Sequence, residues 1–210
     1  MRNYFTGAST ALLLAGFLTL AGCGGGDTDD LAIDTTAVTP GFEEAQEMVA
    51  TAMLEPTEGN TARGTVTFTQ VNGTIRVEAE VMGLAPGEHG FHIHENGDCS
   101  NNAEAAGGHF AGEGTQHGAP DAPVGQRHVG DFGNITAGDD STATFDRDDS
   151  MIAFTGTNNI VGRAVVVHAG ADDLQSQPSG DSGARVACGV IEMEDGMMQG
   201  GAAMTDTTAL

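Results

Sequence analysis

Lysine does not occur in this chain, and its seven basic residues are all arginines: Arg2, Arg63, Arg76, Arg127, Arg147, Arg163 and Arg185. Against 30 Asp and Glu they leave a formal charge of −23. So acidic a chain repels polyanions, which excludes nucleic acid as a partner and argues against adsorption to an anionic membrane surface. The bias is equally consistent with a saline habitat and with composition drift. Tryptophan is absent and tyrosine occurs once, while Gly, Thr, Val and Ala are abundant. That mixture argues against a helical bundle and suits short strands joined by turns. The 210 residues allow one domain or at most two.

Long apolar runs are scarce. One of them, Ala11 to Leu20, follows Arg2 and ends at Leu20-Ala21-Gly22-Cys23. A basic start, a short hydrophobic core and small residues before a cut predict a signal peptide over 1–22 rather than a spanning helix. The last four residues resemble a bacterial lipobox. This implies cleavage before Cys23, diacylation of its thiol and a membrane partner held through a lipid. The chain is therefore expected to be exported, periplasmic or cell-surface, and lipid-anchored to a bacterial membrane. Cysteine is scarce too, and with Cys23 assigned, Cys99 and Cys188 remain as a pair for an oxidising compartment.

From 23 to 47 the chain is rich in Gly, Asp and Thr with few large apolar residues, which predicts a flexible acidic tether. A brief helical turn is expected at 41–49. The domain is expected over 48–195, and a Gly-, Met- and Thr-rich tail from 196 to 210 is read as disordered. Within the domain, Thr65–Val71 and Thr74–Val81 alternate apolar and polar residues around Asn72-Gly73, the signature of a hairpin with a type I′ turn. Further strands are expected at 48–54, 88–95, 129–136, 141–146, 160–168 and 184–192. Eight short strands without a convincing helix predict an all-β, eight-stranded antiparallel Greek-key sandwich or flattened barrel. Two stretches, Asn96–Arg127 and Ala169–Ala184, are too long for tight turns, and connections of that length are usually functional.

All seven histidines fall between 89 and 168. His92 and His94 are two apart, so on a strand they share a face. Alone, the pair reads either as half-buried strand histidines or as half of a transition-metal site. His109, His117, His128 and Asp131 lie along the first long stretch and its exit, and three imidazoles with one carboxylate make a tetrahedral zinc set. His168 ends the apolar run Ala164–Val167 and gives His92 and His94 a third nitrogen for a second metal. A tetragonal four-nitrogen copper site lacks one ligand, which a deprotonated imidazole shared by both metals would supply.

The runs Gly-Phe-His-Ile-His-Glu-Asn-Gly-Asp-Cys, Gly-Gly-His-Phe, His-Gly-Ala-Pro, Arg-His-Val-Gly-Asp-Phe-Gly-Asn, Val-Val-His-Ala-Gly-Ala-Asp-Asp-Leu and Gly-Ala-Arg-Val-Ala-Cys-Gly-Val-Ile resemble copper/zinc superoxide dismutases in their bacterial secreted lipoprotein form. The resemblance covers about 48–194. It implies disproportionation of superoxide to dioxygen and hydrogen peroxide by alternate reduction and reoxidation of copper. Copper would be held by His92, His94, His109 and His168, and structural zinc by His109, His117, His128 and Asp131, with His109 bridging. It further implies that Asp172 links His92 to His117, that His89 braces the loops without binding metal, and that Cys99 and Cys188 form a disulfide. Arg185 would stand at the mouth of the copper channel and act with His109 in catalysis. Superoxide is the implied substrate, and a homodimer is compatible with the sequence, which gives no interface.

The residues admit three other readings. A redox-inert copper/zinc-binding or copper-delivery module on the same fold is the serious rival, although relatives of that kind commonly lack a copper ligand or the channel arginine. A His₂Cys electron-transfer site is disfavoured because Cys99 and Cys188 are committed to each other. Met193, Met197, Met198 and Met204 suggest Cu(I) recruitment by the tail, against the plainer reading of a low-complexity end. Phe91 and Phe110 are expected to fill the core.

Overall fold

The computed structural model describes residues 47–194 apart from Thr115. The signal peptide, Cys23, nearly all of the tether, most of the helical turn expected at 41–49, and the tail with Met197, Met198 and Met204 lie outside the described residues.

Eight antiparallel strands close into a barrel: β1 Met48–Pro56, β2 Arg63–Val71, β3 Thr74–Met82, β4 Gly87–His94, β5 Asp131–Ala137, β6 Thr142–Asp149, β7 Ala164–His168 and β8 Arg185–Met193. Around the barrel their order is β1-β2-β3-β6-β5-β4-β7-β8. β3 therefore pairs with β6 rather than with its successor β4, a Greek-key crossover. The hairpin between β2 and β3 turns at Asn72 and Gly73, both at positive φ (51° and 86°), as a type I′ turn requires. Its register runs from Val71 opposite Thr74 to Arg63 opposite Met82, so Val66, Phe68, Val77 and Val81 all point inward.

Inside the barrel, Phe91, Ile93, Phe132, Ile135, Val165, Val167 and Ile191 complete one apolar core. Phe91 packs against Phe145 and Phe132 with ring centroids 5.1 and 5.6 Å apart. Phe110 also joins this core, as expected. A smaller apolar cluster lies outside the barrel wall, where Ala164, Val166 and Cys188 meet Ala103, Ala106 and Cys99 of the first long loop. β7 is thus buried on both faces, which its unbroken Ala164–Val167 run reflects.

Several details differ from the sequence expectation, among them β6, which runs to Asp149 rather than 146. β5 starts at Asp131 rather than 129, because Val129 and Gly130 donate to Ala111 and Phe110 across the loop instead of entering the ladder. β7 starts at Ala164 rather than 160, because Arg163 closes a turn onto Ile160. The segment 150–163 is consequently a third long connection, and the first long loop carries a 3₁₀ turn, Glu104–Ala106.

Candidate metal centre

Strand alternation sends Phe91 and Ile93 into the core and His92 and His94 to the opposite face. On an open barrel wall that face would meet water. Here the two long loops cover it, and His92 and His94 are 0 % and 1 % exposed. His168, at the end of β7, and His109, in the first loop, complete a group of four buried imidazoles. His109 reaches them because its loop returns along β4: Glu95 donates to Gly108, and Phe110 donates to Ile93.

The outward nitrogen of each strand histidine meets an oxygen acceptor. Nε2 of His92 lies 2.7 Å from Oδ2 of Asp172, Nδ1 of His94 lies 3.0 Å from the Gly107 carbonyl, and Nδ1 of His168 lies 3.0 Å from the Gly183 carbonyl. An N–H donated outward leaves a lone pair on the other ring nitrogen. Those lone pairs converge: Nε2 of His94 and Nε2 of His168 stand 3.3 Å apart, and Nδ1 of His92 and Nε2 of His109 are buried without hydrogen-bond partners. Burial lowers the pKa of His92 to about 3 and of His168 to about 4, and it lowers that of His94 as well. Four neutral nitrogen donors facing one point suit a transition metal of copper's preference.

His109 also belongs to a second group, with His117, His128 and Asp131. Its Nδ1 is 2.8 Å from Oδ1 of Asp131, while Nδ1 of His117 and Nδ1 of His128 lie 3.1 and 3.4 Å from the same oxygen. The last two lack hydrogen-bond geometry, so three imidazole nitrogens crowd one carboxylate oxygen that satisfies only one of them. Oδ2 of Asp131 is turned away and accepts the backbone N–H groups of His128 and Gly118 at 2.9 and 3.1 Å. Burial would raise the Asp131 pKa, but the three imidazoles crowded against the carboxylate hold it well below the ordinary carboxylate range. Burial likewise opposes charge on His117, yet contacts with Asp131 and Asp172 outweigh it and raise its pKa to about 9. This pocket favours a cation, and three nitrogens with one oxygen match the donor set of zinc.

Asp172 joins the two groups. Its Oδ2 contacts His92 and its Oδ1 accepts from Nε2 of His117 at 2.9 Å. A single carboxylate thereby orients one ring from each group. His89 is separate from both: its ring nitrogens lie 2.8 Å from the His168 carbonyl and 2.7 Å from the Ala85 carbonyl, tying the β3–β4 connection to the end of β7.

Two β-bulges aim the remaining polar groups. Between β4 and β5 the register moves from Gly90 opposite Asn134 to His92 opposite Asp131, with one extra residue on β5 near Gly133, whose φ is +77°. Between β7 and β8 it moves from Val167 opposite Ala187 to His168 opposite Arg185, with the extra residue on β8. Bulges redirect the side chains beside them. Asp131 and Arg185 each open a strand immediately before one. The Arg185 guanidinium donates to the carbonyls of Ala103 and Gly107, the latter at 2.6 Å. A disulfide between Cys99 and Cys188 fixes the same loop to β8. With His94, His109 and His168, Arg185 lines a cleft of about 440 Å³ whose rim also carries Glu95 and Glu104.

A sequence model described as copper/zinc superoxide dismutase (SODC) matches residues 62–191. The chain belongs to the copper/zinc superoxide dismutase family. Among solved structures, it is similar to the one described as the clock protein EA4, at 43 % identity and a TM-score of 0.62. That match covers 69 % of this chain and 93 % of the other.

Two supporting residues of this superoxide dismutase-family site, Asn134 and Arg127, stand at the ends of the Arg-His-Val-Gly-Asp-Phe-Gly-Asn run, which marks their presence but not their role. Asn134 of β5 holds Asp172 at both backbone groups: its Nδ2 donates to the Asp172 carbonyl at 2.9 Å, and its Oδ1 accepts the Asp172 N–H at 2.7 Å. Arg127 is buried beneath the carboxylate-bearing group. It donates to the carbonyls of His128, Val129 and Asp131 at 3.2 Å each, and pairs with Asp149 at 2.6 Å. Orphaning either charge would cost about 3–5 kcal/mol. The available hint for both is their place in the run that also carries His128 and Asp131; Asn134 itself is only half-buried on β5.

Proposed function

We propose that this chain is an enzyme that disproportionates superoxide, 2 O₂⁻ + 2 H⁺ → O₂ + H₂O₂. The observation that carries this reading is the sharing of His109 between a four-nitrogen group and a three-nitrogen, one-carboxylate group. His92, His94, His109 and His168 would hold copper; His109, His117, His128 and Asp131 would hold zinc. When bound, copper supplies one-electron exchange with superoxide, while zinc, which has no redox chemistry, supplies charge and rigidity.

The protein's own groups then act on the anion and its protons. Arg185 offers a positive charge in the cleft, and its anchoring to Ala103 and Gly107 keeps that charge beside the imidazoles. His109 carries a proton at Nε2 to the forming peroxide, with its Nδ1 side held at Asp131. Asp172 and Asn134 keep the rings aligned. For a redox-inert module nothing demands an arginine at the cleft, and its presence here favours the enzyme.

The assignments outside the described residues belong to the same proposal. The signal peptide over 1–22 and the lipid on Cys23 export and anchor the domain, with 23–47 as tether and 196–210 as a free tail. The Cys99–Cys188 disulfide is consistent with an oxidising, extracellular or periplasmic setting. Metal analysis of the purified protein alongside a superoxide-decay assay tests the proposal. One copper and one zinc per chain with rapid decay is expected. A fully metallated protein that leaves superoxide untouched would establish the redox-inert reading instead.

A further inference from the structure

His117 lies between a turn closed by Gly114 onto Ala111 and another closed by Ala122 onto Ala119, in a segment with no ladder to fix its main chain. Both of its backbone polar groups bond to one side chain. The His117 N–H donates to Oε1 of Gln177 at 2.9 Å, and Nε2 of Gln177 donates to the His117 carbonyl at 2.8 Å. Among the described residues these are the only hydrogen bonds to the main chain of His117. A primary amide presents a donor and an acceptor side by side, so it meets a residue's N–H and C=O much as a neighbouring strand does. Nε2 of Gln177 also donates to the Gln175 carbonyl at 3.2 Å, which sets the amide plane from within its own loop.

That loop, 169–184, grips His117 elsewhere too. Asp172 accepts from the ring at Nε2. Gly180 packs on the same contact so closely that a Cβ there would collide with Oδ1 of Asp172 and Nε2 of His117. The ring is therefore oriented by a carboxylate, the main chain by an amide, and the contact between them is capped by a glycine, all from one segment.

We propose that Gln177 is a positioning residue for metal uptake: its amide sets the main chain of His117 and so the direction of Nδ1 toward Asp131. This rests on the zinc assignment proposed above. Because Gln177 acts from the second long loop, order in that loop and occupancy of the carboxylate-bearing group promote one another reciprocally. The four-imidazole group has no such dependence on Gln177.

The variants Gln177→Ala and Gln177→Glu separate the parts of this grip. The first removes both bonds. The second keeps an acceptor for the His117 N–H but sets a carboxylate oxygen against the His117 carbonyl. Zinc affinity of metal-depleted protein, measured by chelator competition, should fall about 10–100-fold in both, in the range found when outer partners of metal ligands are lost. Copper affinity should change much less, and the visible spectrum of cobalt bound in place of zinc should shift. Gln177→Glu should be impaired at least as much as Gln177→Ala despite its closer shape. Equal losses of copper and zinc affinity, tracking a lower melting temperature of the metal-depleted protein, would mean a merely structural role and overturn the proposal. So would wild-type zinc affinity in Gln177→Ala. A wild-type protein that takes up no zinc would overturn the metal reading itself, and the positioning role with it.

Discussion

The two candidate ligand groups share a ring, yet they present opposite electrostatic environments. Around His92, His94 and His168, burial is the largest influence, and it holds the imidazoles neutral with pKa values pushed down, to about 3 for His92 and about 4 for His168. Around Asp131, a buried carboxylate inverts the outcome, and His117 is raised to about 9. The first group offers lone pairs ready for a metal. The second holds a proton where a metal would sit, so loading it with zinc releases that proton. The family's division of labour between a redox ion and a redox-silent ion is thus matched by a division between a neutral donor set and an anionic one.

The comparison can be broken most severely at its open end. Arg185 lines the cleft with His94, His109, His128 and His168 but its hydrogen bonds go to loop carbonyls and not to these rings, so Arg185→Ala should lower the superoxide rate about 10–100-fold, within the range of electrostatic guidance effects, while leaving both metals bound. Unchanged activity in a superoxide-decay assay would remove Arg185 from the reaction. Asp172 touches both groups, and Asp172→Asn places an amide donor against N–H groups of His92 or His117. Zinc affinity should drop by roughly 10-fold or more; chelator competition reads it, and an unchanged value would detach Asp172 from metal binding.

Acidity sharpens the contrast without mutation. In metal-depleted protein, His92 and His168 have folded pKa values below their ordinary 6.5. The unfolded chain then binds more protons below that pH, so their stabilising effect is present above about 6.5 and is lost as pH falls toward 3–4. His117 has the opposite sign: its contribution is complete below 6.5 and is lost as pH rises through about 9. Melting temperatures across pH 4–10 should decline at both ends, and a curve that keeps rising above pH 9 would contradict the assignment for His117. The smallest expected effect concerns salt. The loop 169–184 has no basic residue, and Glu95 and Glu104 stand at the cleft rim. Long-range repulsion from a chain of charge −23 should therefore be relieved by screening, giving a modest rise in rate with added salt at low ionic strength. A steep fall would mean that Arg185 and the metals dominate beyond the channel.

Much of the barrel was legible because its signals are local. Asn72-Gly73 and the alternation on either side specify a hairpin over fewer than twenty residues, and the structure realises it pair by pair. The metal-ligating candidates stood out because histidine is scarce and clustered, and because His92 and His94 obey strand periodicity. What escaped detection depends on residues far apart. The bulges beside Asp131 and Arg185 are register shifts against partner strands, and no local pattern announces them. Asn134 and Gln177 act on main chains 38 and 60 residues away, through one side chain each. A lone polar side chain bonding to distant backbone leaves no period to find.

The covalent tie from Cys99 to Cys188 spans 89 positions of sequence. Every candidate ligand except His92 and His94 lies inside that ring, as does Arg185. Closing so large a ring narrows the unfolded ensemble by about 4–5 kcal/mol on the chain-entropy view. Its local hold, however, is on the segment whose carbonyls anchor the guanidinium. A thiol reductant would therefore first loosen the cleft wall that seats Arg185, while His92, His94 and His168 stayed on strands paired within the barrel.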